Sequence, residues 1–470
     1  MNEMEGRLRE QASDNGQSHV FAFWDELGLS GRERLLTQLG SVDFELVAKQ
    51  AALLGAPPAN EGSKVDLAPP DMFPLVRDAS QAASAKGAHA HGLERIAAGK
   101  IGFLLVAGGQ ASRLGYDGPK GTFPVGPVSG RSLFEIHARR LRAAQVRGGR
   151  RLDWYVMTSP ANHEATQHFF QSNAYFGLQS DQVAFFSQAV IPALDLYGKI
   201  LMSGKDSLFL APNGHGGTLA AMQASGLLER AQASGIETLS YFQVDNPLVR
   251  PADPLFIGLH AAAEARMSSK VVSKRDAGEK VGVIGRADGR LGCIEYSDLP
   301  ESLRSATDES GALLFGAGNI AAHLLQVDFI DELTRDGLEL PWHVARKRMT
   351  VCGAGGQQES VDGAKFETFI FDALGKSPAS VTLEVKREHE FSPVKNGEGE
   401  DSPRTACQSL CDLFGGWVQA AGRSLPQPDR DGVVRVEVDP LLAEDLETFV
   451  NGPIPEPLQS DRGHLYELDA

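Results

Sequence analysis

From about residue 100 onward, short apolar runs alternate with stretches of helical character. No other feature restricts the fold of this chain as much. Phe103-Leu104-Leu105-Val106, Trp154-Tyr155-Val156-Met157, Val183-Ala184-Phe185-Phe186 and Leu239-Ser240-Tyr241-Phe242-Gln243-Val244 read as buried strands. Helix candidates lie between them, one opening on the capping box from Ser132 to Glu135. Strand, helix, strand, helix is the signature of a mostly parallel sheet covered on both faces. Such sheets bind ligands beyond the carboxyl ends of their strands, so the residues just after each run matter most.

The flanks read differently. To about residue 60 the chain suggests helices, with Ser30 and Glu33 as a capping box before Leu35, Leu36 and Leu39. Phe21, Phe23, Trp24 and Leu27 give the preceding segment an apolar side. Pro57-Pro58 and Pro69-Pro70 mark a linker. Ala79 to Ala98 predicts another helix. Lys270–Lys274 and Val281–Ile284 read as strands, and Asp288-Gly289 as a hairpin turn. After about residue 393 the expectation is irregular chain, with a small β-containing tail domain around Val433–Val438. The domain reading is 1–98 helical region, 99–392 catalytic domain and 393–470 small C-terminal domain. The fold class is α/β, a Rossmann-like central domain with an N-terminal helical region and a small C-terminal β-containing domain.

Composition narrows the partners. The 470 residues carry 45 Lys and Arg against 61 Asp and Glu, a formal net charge of −16. That balance argues against general binding to nucleic acid or an anionic membrane, either of which needs a basic face. It leaves room for a local basic pocket. The start of the chain, Met1 to Gln17, is polar and acidic rather than a signal peptide. No apolar run approaches the roughly 18 residues of a membrane span. Cys293, Cys352, Cys407 and Cys411 do not make a disulfide framework for a chain this long, and Cys407 with Cys411 lacks further partners at zinc spacing. The expected setting is the reduced cytoplasm, as a monomer or weak oligomer.

The strongest string is Leu104-Leu105-Val106-Ala107-Gly108-Gly109-Gln110-Ala111-Ser112-Arg113-Leu114-Gly115, followed by Gly118-Pro119-Lys120-Gly121. Two glycines at a strand end let backbone N–H groups approach an anion or a flat base. Arg113 and Lys120 place two positive charges at the same mouth, a combination suited to a polyphosphate. Neither the P-loop pattern nor G-x-G-x-x-G is present. Asp245 ends another strand at the ligand edge. Alone, Asp245-Asn246-Pro247 would be a turn. Beside the Pro-Lys-Gly loop, its carboxylate suits Mg²⁺, which takes one or two protein carboxylates beside phosphate oxygens and water. Gln188 carries one amide donor and one acceptor, and read alone it would be a surface glutamine.

The glycine string resembles the L-x-x-G-G-x-G-T-R-L-G-x-x-x-P-K signature of nucleotidyltransferases that make nucleotide sugars. Ala111-Ser112 stands where that signature has Gly-Thr. Further strings are similar, in order, to the eukaryotic-type UDP-N-acetylglucosamine pyrophosphorylases. They are Phe185-Phe186-Ser187-Gln188 with Pro192 and Gly198-Lys199, Ala211–Gly217, Val244-Asp245-Asn246, Val281-Gly282-Val283, Glu295-Tyr296-Ser297, Gly316–Ile320, Lys365 with Phe369–Asp372, and Glu388–Asn396.

The resemblance implies the reaction UTP + sugar 1-phosphate ⇌ UDP-sugar + pyrophosphate, with Mg²⁺ on Asp245. It implies a catalytic role for Arg113 and Lys120. It assigns the nucleotide to Val106, Ala107, Gly108, Gly109, Lys120, Gln188, Gly214, Asp245 and Lys365. It assigns the sugar and its phosphate to His215, Gly282, Glu295, Tyr296, Asn319 and Lys395. His215 departs from the N-acetylglucosamine branch, which carries Asn there, and matches enzymes making UDP-glucose and other UDP-sugars. Gly282 and Asn319 match the acetamido branch. N-acetylglucosamine 1-phosphate is therefore placed slightly ahead of glucose, galactose or a broad sugar range. The reading from another class is a sugar-nucleotide sensor without turnover, against which Arg113 and Lys120 both speak. A nicotinamide oxidoreductase is disfavoured by the missing G-x-G-x-x-G.

Overall fold

Ile101–Val106 forms a strand whose first five residues are buried, as a run apolar on both faces demands. It pairs in parallel with Trp154–Thr158 on one side and Thr238–Gln243 on the other, with Leu104 opposite Tyr155 and Tyr241. Val183–Ser187 adds a further parallel strand beyond Trp154–Thr158. Ala317–Gln326 pairs antiparallel to Thr238–Gln243, and the sheet continues through Val283–Ala287 and Leu67–Ala68. With Met267–Ser273, Arg290–Ile294 and Thr382–Glu384 it reaches ten strands. The expected mixed α/β architecture with a mostly parallel central portion is present.

The computed structural model describes residues 2–55 and 65–468. The chain divides into two compact units. The larger comprises residues 65–187, 219–337 and 373–470 and contains the ten-stranded sheet. Its helix Leu133–Gly148 begins at Ser132, whose hydroxyl accepts from the Glu135 N–H, and ends at Gly149 in the left-handed region. Leu133, Phe134, Ile136 and Leu141 on this helix join Phe103, Leu105, Trp154 and Val156 in one core. Phe170 is fully buried there, with ring centroids 5.0 Å from Phe134 and Phe185 and 5.4 Å from Trp154. Truncating a ring so placed costs about 3–5 kcal/mol.

The helix Ala79–Ala97 carries a capping box between Asp78 and Gln81. It packs on Pro254–Ala262 through glycines: a Cβ on Gly92 would collide with the Pro254 carbonyl, and one on Gly258 with the Ala88 carbonyl. The backbones therefore touch where only hydrogen fits.

The tail is more ordered than its composition suggests. Pro403–Ala420 is an 18-residue helix, capped by Ser402 with Pro403 in the first turn. The expectation of irregular chain after residue 393 is corrected there. Ala406, Leu410, Cys411, Phe414, Trp417 and Val418 form its buried stripe, an amphipathic pattern hidden behind a glycine- and acid-rich approach. Val436–Val438, Leu458–Ser460 and Gly463–Tyr466 form a three-stranded sheet beside it. Val433–Arg435 lies outside the strand.

The smaller unit comprises residues 1–64, 188–218 and 338–372, within the described range. It holds helices Asn2–Asp14, Leu29–Gly40 and Phe44–Gly55 and a long hairpin of His343–Cys352 with Gln358–Glu367. Leu35, Leu36, Leu39, Leu194, Ile200 and Phe366 share its core. The expected capping box at Ser30 does not form. The helix starts two residues earlier than a Ser30 cap requires, with Gly28 at the cap position and no side-chain cap bond, so Ser30 sits inside the first turn. Phe21 and Trp24 lie in short 3-10 turns rather than a regular helix. Pro57-Pro58 lies outside the described residues. Asp288 and Gly289 make the expected hairpin turn, both with positive φ. The strand before this turn starts at Val283, leaving Val281 and Gly282 ahead of it.

Candidate active site

In the larger unit, the parallel pairing of Ile101–Val106 with Thr238–Gln243 brings two strand ends to one edge. Val106 lies opposite Gln243, and the Val244 N–H donates to the Val106 carbonyl at 3.1 Å. The glycine loop leaves the first strand here. The Ala107 N–H donates to the Met157 carbonyl, and Lys120 N–H returns to the Gly109 carbonyl at 3.0 Å. The loop closes on itself through Ala111 N–H to the Gly118 carbonyl. Buried Asn162 holds it from beneath, its amide nitrogen donating to the carbonyls of Ala107 (2.9 Å) and Gly109 (3.2 Å).

Lys120 Nζ stands 3.5 Å from Asp245 Oδ2, with side chains 19% and 13% exposed. That separation is long for a charge-assisted hydrogen bond. The ammonium is thus held at the mouth without being consumed by a tight pair. Asp245 is a single hard oxygen donor, and the described residues contain no cluster of three His, Cys, Asp or Glu that could cage a metal. One carboxylate at the mouth of the glycine loop is the donor set that suits Mg²⁺, which keeps most of its shell for water and other oxygens. Arg113 is exposed on the same loop, and a Cβ on Gly397 would meet the Arg113 carbonyl at 3.0 Å.

Lys395 reaches this edge through backbone stitching. The Val394 N–H donates to the Asp245 carbonyl at 2.8 Å, and the Lys395 N–H to the Asp401 carbonyl. Its ammonium lies 3.7 Å from Asp401 and over the Phe391 ring. Asn246 clamps the same segment: its amide nitrogen donates to the Glu390 carbonyl at 2.7 Å, and its oxygen accepts from the Ser392 N–H at 3.2 Å. Behind this clamp Lys270 is buried between Asp253 (2.8 Å) and Glu390 (2.6 Å).

Three of the sugar-side candidates meet at the start of Ala317–Gln326. The Asn319 N–H donates to the Gly282 carbonyl at 2.9 Å, and its amide donates to Cys293 Sγ at 3.7 Å. A Cβ on Gly282 would come within 2.8 Å of Cys293 Sγ and 3.4 Å of Glu295 Oε1. The gap beside this glycine is thus already lined by a thiol and a carboxylate. Tyr296 is 41% exposed.

Gln188, Gly214, His215 and Lys365 belong to the smaller unit. The ribbon of Val190–Pro192 with Leu210–Pro212 puts Gln188 and the Gly214-His215 turn at one end, where Asn213 N–H donates to the Ala189 carbonyl. Gly214 has φ +84, and a Cβ there would strike Thr368. His215 stacks on Phe369 with centroids 5.2 Å apart, and its Nδ1 accepts from the Ile370 N–H at 3.3 Å. That bond assigns the neutral ring's proton to Nε2. Burial, with His343 nearby, lowers the His215 pKa to about 4. Burial, with Lys347 nearby, also lowers that of Lys365, whose ammonium lies over the Phe209 ring.

Asn162, Asn246 and Cys293 were not singled out by sequence reasoning as site residues. Asn162 and Asn246 follow the apolar runs ending at Thr158 and Val244, the positions that strand-end reasoning marks.

Comparison with known proteins places these features in a family. Residues 67–401 match the UTP–glucose-1-phosphate uridylyltransferase family. UDP-N-acetylglucosamine diphosphorylase 2 of Arabidopsis thaliana is 36% identical, over 95% of this chain and 91% of that protein. UDP-N-acetylglucosamine pyrophosphorylase of Saccharomyces cerevisiae is 34% identical, over 92% of this chain and 95% of that protein. The crystal structure of the uridine diphosphate N-acetylglucosamine pyrophosphorylase from Trypanosoma brucei in complex with inhibitor superposes with a TM-score of 0.80 and 29% identity, covering 96% of this chain and 94% of that one. With its strand-end glycine loop, its Lys120–Asp245 pair and similarity along nearly its whole length, this chain belongs to the UTP–glucose-1-phosphate uridylyltransferase family.

Proposed function

We propose that this protein transfers the uridylyl group of UTP to N-acetylglucosamine 1-phosphate, forming UDP-N-acetylglucosamine and pyrophosphate. The observation that carries the reading is Lys120 facing Asp245 across two adjacent parallel strand ends, beside the loop of Gly108 and Gly109. The choice of sugar follows the near-full-length relatives and the meeting of Gly282 with Asn319.

A phosphate oxygen of the sugar 1-phosphate attacks the α-phosphorus of UTP in line, and pyrophosphate leaves on the opposite side. No covalent enzyme intermediate is required. Catalysis then consists of positioning and neutralising charge. Arg113 and Lys120 oppose the charge that grows on pyrophosphate. Lys365 and Lys395 neutralise the phosphoryl groups around the α-phosphorus. Gln188 and the backbone from Val106 to Gly109 read the uracil, with Gly214 completing the nucleotide contacts. Glu295, Tyr296 and Asn319 hold sugar hydroxyls, and His215 lies on the sugar side. Mg²⁺ held by Asp245 supplies Lewis-acid neutralisation of phosphate oxygens when bound. No helix among the described residues is long and apolar enough to cross a membrane. We place the activity in the cytoplasm, a setting supported by four cysteines without disulfides.

The test is pyrophosphate release from UTP and Mg²⁺ with a panel of sugar 1-phosphates. N-acetylglucosamine 1-phosphate should give the highest kcat/KM. Absence of pyrophosphate release with every sugar 1-phosphate in the panel, alongside tight UDP-sugar binding, would leave a sensor instead of an enzyme.

A further inference from the structure

Two cysteines unused by the reaction share one face of the helix Pro403–Ala420. Cys407 and Cys411 are one turn apart, a spacing that makes their side chains neighbours. Cys407 is half-buried and Cys411 buried. The helix packs on the strand Val436–Val438, and the residue before that strand is Arg435. The Arg435 guanidinium is fixed from three sides. Its Nε donates to Asp429 at 2.6 Å, and its Nη1 lies 3.4 Å from the Pro127 carbonyl and 3.5 Å from Cys407 Sγ. The Cys411 thiol sits one helical turn from the same sulfur, within reach as a second donor. A positioned cation and a thiol donor are the surroundings that hold a sulfur as thiolate.

We propose that Cys407 is a modification site, a thiolate that reacts with hydroperoxides while Arg435 and Cys411 hold its charge. The role is separate from uridylyl transfer. In the step, the Cys407 sulfur attacks the distal oxygen of ROOH. The S–O bond forms as the O–O bond breaks, the departing RO⁻ takes a proton from solvent, and a sulfenic acid remains. Sulfur is oxidised by two electrons and the peroxide is reduced by two.

The electrostatics agree with this division. The neighbouring Cys411 thiol and the charge of Arg435 bring the Cys407 thiol below its ordinary value, against burial and the carboxylate of Glu437. Cys411 is pushed up and stays protonated as the donor. Glu437 opposes weakly because its carboxylate is occupied by the N–H groups of Val128 and Ser129 and the Ser129 hydroxyl. Asp429 faces the other end of the guanidinium and keeps it in place. Cys407 therefore carries more thiolate at neutral pH than an ordinary thiol, which has a few per cent.

The experiment exposes the whole protein to hydrogen peroxide with dimedone present and quantifies adducts at each cysteine by peptide mass spectrometry. Cys293 and Cys352 serve as internal references. Cys407 should be labelled about tenfold faster than either, with a rate that rises with pH to a midpoint below that of an ordinary thiol. Arg435→Gln should slow it about tenfold at pH 7. Cys411→Ala should slow it too, whereas Cys411→Ser, which keeps a donor, should retain most of the rate. Folding of each variant is checked by its thermal melt. Labelling of Cys407 no faster than Cys293 and Cys352 would overturn the proposal. So would equal rates in Cys411→Ala and Cys411→Ser, a comparison that stands even if Arg435→Gln fails to fold.

Discussion

The side-chain amide of Asn246 donates to the Glu390 carbonyl at 2.7 Å while its oxygen accepts from the Ser392 N–H at 3.2 Å. One buried asparagine thus ties the strand end bearing Asp245 to the loop bearing Lys395. Asn246→Asp keeps the acceptor but removes the donor and adds a buried charge. We expect kcat/KM to fall about tenfold or more, with stability down by about 1–3 kcal/mol. Steady-state kinetics and thermal melts measure both. Activity within twofold of wild type would show that the clamp does not position the site.

Lys120→Ala and Arg113→Ala should each lower kcat by about 10²-fold or more, because each removes a charge matched to the leaving pyrophosphate. UDP-sugar affinity, measured calorimetrically, should change less. Wild-type turnover in Lys120→Ala would remove the mechanism.

UTP should be used in strong preference to CTP and ATP, because a pocket built for one hydrogen-bonding edge leaves buried groups unpaired against another. Comparing kcat/KM for the three nucleotides checks this, and Gln188→Ala should narrow the differences. Equal use of ATP and UTP would contradict the assignment of Gln188.

His215 bears on sugar choice and on acid stability. If it acts on specificity, His215→Asn should change the kcat/KM ratio of N-acetylglucosamine 1-phosphate to glucose 1-phosphate by more than about twofold. A smaller change, under ~0.5 kcal/mol, would leave His215 as a loop-shaping residue. Its stacking on Phe369 and its bond from the Ile370 N–H already support that bland role. Its folded pKa, about 4, lies below the unfolded value near 6.5. The unfolded state therefore binds the proton first as pH falls. The stability of the neutral, buried ring is intact above pH 6.5 and is lost progressively toward pH 4. The gap in melting temperature between wild type and His215→Asn should accordingly shift against wild type between pH 7 and pH 5.

Gly258→Ala should destabilise the larger unit by about 1–3 kcal/mol, because its Cβ would push against the Ala88 carbonyl where two helices touch. Chemical denaturation measures this. An unchanged midpoint would mean that the helices can separate at no cost.

What the sequence alone determined is local. The buried strands follow from runs apolar on both faces, and the Ser132 cap and the Asp288-Gly289 turn follow from side chains acting within a few residues of themselves. The glycine loop was legible because a strand end, two glycines and two cations sit in one string. Ser30 misled because its pattern is also local and the helix is capped two residues earlier, at Gly28. The tertiary structure decided what depends on distant partners. Asn162 beneath the Gly109 loop, Asn246 clamped 144 residues away on Glu390, and Lys270 between two buried carboxylates each satisfy a buried polar group that no neighbouring residue can reach. The thiolate setting of Cys407 likewise requires Arg435, 28 residues on, brought back by a strand packing against the helix.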